Sequence, residues 1–267
     1  MHFRGSAPSE GGGVTVWFIG AGPGAADLIT LRAVALLGKT DVCVYAGTYI
    51  DEAVLSHCPE RARLIDTQNL NLEEIIGHIV AAHAEDLDVV RLCSGDPSLY
   101  SALAEQTRRL DEHGVPWDVT PGVPAYAAAA ALLGKELTVP LLTQSVVLTR
   151  TQARSTAMPE SESLANFART KASLVLHLAI TRIRTLAEEL VDEYGAECPV
   201  AVVANVSQPG ELILTGTLAN IADQVEAAGL KQAAVILVGL ALDPASRLGR
   251  ESYLYDAQRD RKSKTRP

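Results

Sequence analysis

Val14-Thr15-Val16-Trp17-Phe18-Ile19-Gly20-Ala21-Gly22-Pro23-Gly24 decides the fold. Its first six residues are β-branched or aromatic, which favours an extended strand, and the glycines and proline that follow stop it abruptly. Residues 28–37 then recur as apolar positions at helical spacing. The chain therefore starts as strand, tight turn, helix. The same order returns twice, as a strand at 89–93 before Ser94-Gly95-Asp96-Pro97 and a strand at 117–120 before Pro121-Gly122-Val123-Pro124. Repeated strand–turn–helix units predict a mostly parallel sheet covered by helices on both faces.

Further strands are expected at 41–46 and 63–66, with helices at 72–84, 98–113 and 125–133. After Gly134 the rhythm changes. Strands are expected at 145–149, 174–177, 200–204, 212–215 and 235–240, and helices at 162–168, 183–193 and 219–228. Gln208-Pro209-Gly210 falls between two of those strands and reads as a turn joining an antiparallel pair, so the second sheet should be mixed. The fold class is α/β, with two αβα domains: a leader at 1–13, a first domain at 14–136, a linker at 137–144, a second domain at 145–245 and a tail at 246–267. The leader lacks the apolar stretch of a signal peptide.

Hydrophobic residues make up 48% of the chain and aromatic residues only 4%, so the core is expected to consist of Val, Leu, Ile and Ala. That suits strands buried on both faces. Acidic side chains number 32 against 23 basic ones, a net charge of −9, which argues against a nucleic-acid surface. No apolar run reaches the ~20 residues of a membrane span. Four cysteines, at 43, 58, 93 and 198, form no CxxC; Cys43, Cys93 and Cys198 lie in or beside apolar runs and read as core residues. Unpaired thiols of this kind point to a reducing, cytoplasmic location.

Gly20, Gly22 and Ala25 fit the loose dinucleotide pattern GxGxxA. Two features oppose that reading. Pro23 removes a backbone N–H from the turn that would cradle a pyrophosphate. The second strand ends Tyr45-Ala46-Gly47, where a dinucleotide site needs an acid for the ribose hydroxyls. In the second loop, Asp96 reads as a helix N-cap with Pro97 at the first helical position. All three turns should converge on the carboxyl edge of one sheet, where open α/β sheets bind ligands.

Taken in order, GxGPG, SGDP and PGV before an Ala-rich helix resemble the tetrapyrrole methylases, the class III methyltransferases. The resemblance runs from about Val14 to about Asp243. Two further segments, Val44-Tyr45-Ala46-Gly47-Thr48 and Leu148-Thr149-Arg150-Thr151-Gln152-Ala153-Arg154 with the following 158–164, resemble the branch that methylates C11 of precorrin-4 on the cobalamin route. The chain departs from the family pattern in three places: Ala25 stands where an aspartate is usual, Pro124-Ala125 where two serines are usual, and Ala153 where a glycine is usual.

The resemblance implies S-adenosylmethionine (SAM) as cofactor, with S-adenosylhomocysteine as product, lying in a cleft between the domains. It assigns cofactor contacts to Pro23, Gly95, Asp96, Leu99, Pro124 and Ala125 in the first domain. Leu178 and Val206 follow strands of the second and complete the set. The same resemblance implies a homodimer and a small-molecule tetrapyrrole partner, with the metal-free and cobalt-containing rings both open. A family member acting on ribosomal RNA or a translation factor is the other enzymatic reading.

A polycarboxylate substrate needs cations, and Arg150 and Arg154 are the candidates to bind it. Arg182 and Arg184 read as surface charge at a helix start. His78 and His83 are five residues apart and fall on different helix faces, so no metal site is expected. His177, in an apolar strand, reads as a core residue, and no general base is assigned.

Overall fold

A computed structural model describes residues 16–151, 157–247 and 252–253. The expected leader, most of the expected tail and Arg154 lie outside the described residues. The remainder divides after Ala125 into two compact units.

The first unit holds β1 (Val16–Gly20), β2 (Val42–Tyr45), β3 (Arg63–Asp66), β4 (Val89–Cys93) and β5 (Trp117–Thr120). They form one sheet in the order β3-β2-β4-β1-β5, with every pair parallel. β4, β1 and β5 are neighbours, so the three turns that follow them emerge side by side. Side chains alternate between two apolar layers. Phe18, Val44, Val89 and Cys93 pack beneath α3 (Leu72–Ala84) and α4 (Leu103–Glu112), while Ile19, Cys43, Val90 and Leu92 pack beneath α1 (Leu31–Leu37). Residues 28–30 are not part of that first helix. Thr30 caps it instead, accepting from the Ala33 N–H at 3.2 Å. A four-residue α2 (Glu52–Leu55) is too short to show periodicity.

Arg91 interrupts the apolar strand β4 and is 9% exposed. Its Nε donates to Gln106 Oε1 of α4 at 3.0 Å, and its Nη1 donates to the Val44 and Leu92 carbonyls, both at 3.3 Å. The guanidinium thus ties β2, β4 and α4 together, and burial lowers its pKa. Its described acceptors are all uncharged oxygens. Arg91→Met should destabilise the fold by about 1–3 kcal/mol, because Gln106 is left with a buried unsatisfied oxygen. Adding Gln106→Leu should restore much of that loss, read by denaturant unfolding; a double variant less stable than the single one would contradict this account.

The second unit begins at Tyr126 and includes all of α5 (Ala125–Leu132) but its first residue. Its sheet contains β6 (Val146–Arg150), β7 (Ser173–His177), β8 (Pro199–Ala204), β9 (Leu212–Thr217) and β10 (Ala234–Val238), in the order β6-β7-β10-β8-β9. β6 and β7 are parallel, and the remaining pairs are antiparallel, including β8–β9 around the Gln208-Pro209-Gly210 turn. The sheet is mixed, as expected. Leu174, Leu176, Val200, Val202 and Ile236 form the core with α6 (Leu164–Ala168), α7 (Ile183–Tyr194) and α8 (Ile221–Ala227). Arg184 clamps α7 to α8 through Asp223 and Glu226, both at 2.6 Å. The stretch 137–144 is fastened to β7, since Ser173 Oγ donates to the Leu137 carbonyl at 2.7 Å and the Thr143 hydroxyl accepts from Ser173 N at 3.2 Å.

Candidate cofactor and substrate site

The three turns of the first unit are bonded to one another. Gly22 and Gly95 exchange backbone hydrogen bonds, N to O at 3.2 and 2.7 Å, and Ala21 N donates to the Cys93 carbonyl at 2.8 Å. Two N–H groups of the glycine loop, those of Ala21 and Gly22, are therefore spent on the strand and loop beside it. Gly22 has φ +81° and Gly95 φ +64°, conformations that suit glycine.

Asp96 corrects the sequence expectation. The helix after β4 starts at Leu103, so neither Asp96 nor Pro97 stands at its N-terminus. Tyr100 and Ala102, at φ +53° and +55°, break any helix begun at Ser98. The Asp96 carboxylate works across loops instead: Oδ2 accepts from Gly122 N at 2.8 Å, and Oδ1 accepts from Ser98 N at 2.8 Å and from the Ser98 hydroxyl. Burial pushes this carboxyl up, but the bonds from Ser98 and Gly122 outweigh it and hold the pKa below the ordinary value.

Of the residues singled out from sequence, Gly95, Asp96, Pro124 and Ala125 come together here. A Cβ on Gly95 would lie 3.6 Å from the Pro124 Cα and 3.7 Å from Ala125 N. Pro23 adjoins the bridged Gly22, and Leu99 N closes a turn on the Asp96 carbonyl at 3.2 Å. The Thr120 hydroxyl, 1% exposed at the end of β5, has no hydrogen-bond partner among the described residues. The Thr120 hydroxyl and the proline and alanine surface of these turns suit an organic ligand. Among the described residues no cluster of His, Cys, Asp and Glu fits a metal.

Sequence reading missed the brace of the next loop. Asp66, ending β3, accepts from Gly47 N and Gln68 N, both at 2.9 Å, and these bonds lower its pKa. A Cβ on Gly47 would fall 2.5 Å from the carboxylate. The signal lay in the glycine itself, at a strand end facing an acid 19 residues away.

In the second unit β6, β7 and β8 run the same way, so Arg150, Leu178 and Val206 share one edge of the sheet. Leu178 is 65% exposed at φ +53°, held in a conformation leucine rarely adopts. Val206 is 2% exposed, between Asn205 and Ser207 at φ +48° and +57°. Arg150 is half-buried at the end of β6. Burial pushes the Cys93 and Cys198 thiols up to about 11, so both stay protonated core groups.

Adjacent parallel strands ending in three interlocked glycine and proline turns define a small-molecule-binding α/β protein. The chain belongs to the tetrapyrrole (corrin/porphyrin) methylases, whose family profile matches residues 15–222. It is 54% identical over 248 residues to the precorrin-4 C(11)-methyltransferase of Rhodococcus erythropolis, covering 93% of this chain and 99% of that one. A solved cobalt precorrin-4 methyltransferase of cobalamin biosynthesis superposes with a TM-score of 0.84 at 36% identity, covering 86% of this chain and 97% of the other. The Thermus thermophilus uroporphyrin-III C-methyltransferase, solved in complex with S-adenyl homocysteine, gives a TM-score of 0.71 at 28% identity, covering 84% of this chain and 92% of the other.

Proposed function

We propose that this chain transfers the methyl group of SAM to C11 of metal-free precorrin-4 during assembly of the cobalamin ring. The observation that carries the reading is 54% identity to a precorrin-4 C(11)-methyltransferase along 99% of its length. The interlocked turns support it. In the first unit the proposed cofactor contacts are Pro23, Gly95, Asp96, Leu99, Pro124 and Ala125; in the second they are Leu178 and Val206. The cofactor supplies an electrophilic methyl on a sulfonium. The residues hold the two reactants in line and keep water away, since an electron-rich ring carbon needs orientation more than activation. Held by these residues, SAM would give up its methyl to a ring π pair and leave as S-adenosylhomocysteine, with one ring proton passing to solvent. Incubation with SAM and either metal-free or cobalt-loaded precorrin-4 tests the reading by product mass. Methylation of the cobalt form alone would reassign the substrate, and methylation of neither would end the proposal.

Arg150, with Arg154, is the proposed anchor for ring carboxylates in a chain of net charge −9. A charge-assisted bond contributes roughly 1.5–3 kcal/mol, so Arg150→Ala should raise the tetrapyrrole KM about tenfold or more. SAM affinity should be unchanged, and added salt should narrow the gap from wild type. If Arg150→Ala/Arg154→Ala keeps the wild-type KM at low salt, the carboxylates bind elsewhere. We also propose a cytoplasmic location, supported by the four cysteines standing as free thiols, and a homodimer, which sedimentation tests.

A further inference from the structure

Two basic side chains stand next to each other at the edge of the second sheet. Arg150 ends β6, His177 ends β7, and the parallel register makes them direct partners. Val147, Leu174 and Leu176 on these strands face the core, so alternation sends Arg150 and His177 together to the opposite face. Neighbouring strands lie about 4.8 Å apart, a spacing over which two side chains can converge on one carboxylate.

The imidazole of His177 lies beside an aromatic ring. Tyr126 of α5 meets it edge-on, with ring centroids 6.4 Å apart and planes at 89°. On the far side of β7, β10 brings the buried and apolar Val235. The Arg150 guanidinium and the Tyr126 phenol are among the titratable and charged groups beside His177. Burial lowers the His177 pKa, so at neutral pH the ring is uncharged. The next residue is Leu178, where the chain turns out at the ligand edge.

We propose that Arg150 and His177 form a two-part site for a substrate carboxylate, in which arginine carries permanent charge and histidine gains its charge only as the carboxylate binds. This deepens the reading of the chain as a tetrapyrrole methyltransferase and rests on it. Two permanent cations on adjacent strands would repel each other in the free protein; a histidine avoids that. An arriving carboxylate favours the imidazolium form, so binding draws one proton from solvent. A ring carrying an amide or ester at that position recruits no proton and binds more weakly, which makes the pair a specificity device.

The test is calorimetry of the full chain with uroporphyrin III, a stable octacarboxylate tetrapyrrole, at pH 6.5 in two buffers of different ionisation enthalpy. Wild type should take up roughly several tenths of a proton more per porphyrin than His177→Gln. The difference should disappear by pH 8.5. The variant should bind porphyrin about three- to tenfold more weakly at pH 6.5 and bind SAM as wild type does. Equal proton uptake by the two proteins, with binding and methylation intact in wild type, overturns the pair and leaves the functional reading standing. Failure of wild type to bind or methylate any tetrapyrrole overturns both. Should His177→Gln not fold, histidine NMR of wild type reads the same proton: one of the chain's six imidazoles must titrate at higher pH with porphyrin bound, and the absence of any such shift overturns the proposal.

Discussion

Asp96→Asn will weaken SAM binding by about 10–100-fold while leaving a folded protein, because the substitution removes the acceptor that holds two loops together. One carboxylate accepts from Ser98 and, across 26 residues of sequence, from Gly122 N at 2.8 Å. Asparagine offers one oxygen and one amide. Whichever way the amide is turned, its NH2 opposes either the Ser98 or the Gly122 donor. A charge-assisted bond of this kind is worth roughly 1.5–3 kcal/mol, which sets the expected loss. Asp96→Ala should behave similarly, so that asparagine gives no rescue, contrary to what a helix cap would allow. The pH dependence has a definite sign. The folded carboxyl releases its proton more readily than its ordinary value of 3.8, so its contribution is complete above pH 3.8 and disappears as pH falls through the lower folded value. Calorimetric titration with SAM decides the matter: wild-type affinity in both variants would mean the Gly95 and Gly122 turns hold their places without Asp96.

What the sequence made legible was local, and what it hid was long-range. The GxGPG, SGDP and PGV turns each carry their own punctuation, so their positions after β1, β4 and β5 followed from glycine, proline and the apolar runs before them. The β8–β9 pair was legible for the same reason, through Gln208-Pro209-Gly210. Asp96 was misread because Asp-Pro is a good helix start taken alone; the left-handed Tyr100 and Ala102 that postpone the helix to Leu103 leave no local signature. Arg91 was hidden inside an apolar strand, since nothing in Val89-Val90-Arg91-Leu92-Cys93 announces that Gln106 and the Val44 carbonyl wait for its guanidinium. His177 carried a partial signal, a polar residue ending an apolar strand. Its partnership with Arg150 depends on register, which a sequence does not display.

Gly122→Ala should be among the most damaging single-methyl changes in the first unit. Its Cβ would lie 2.1 Å from the Gly95 carbonyl oxygen, 2.7 Å from the Gly20 Cα and 2.9 Å from the Gly20 carbonyl carbon. All three are backbone atoms, so no side chain can swing aside; one of the two facing turns must move. The same junction seen from Gly20 leaves 2.5 Å to the Gly122 Cα. Overpacking of this kind costs about 1–3 kcal/mol where side chains can yield, and a backbone clash belongs at or above the top of that range. A loss of about 3 kcal/mol lowers Tm by roughly 6–12 °C in a chain of this size. SAM binding should fall with it, because separating the turns also breaks the Asp96–Gly122 bond. Gly77→Ala is the matched control: its Cβ points into open space in the middle of α3, and removing a helical glycine should raise stability by about 0.5–1 kcal/mol. Thermal unfolding of the two variants side by side should therefore move in opposite directions. A Gly122→Ala protein that melts with wild type and binds SAM normally would show that the turns of β1, β4 and β5 do not meet as closely as described, and the backbone cradle would have to be abandoned.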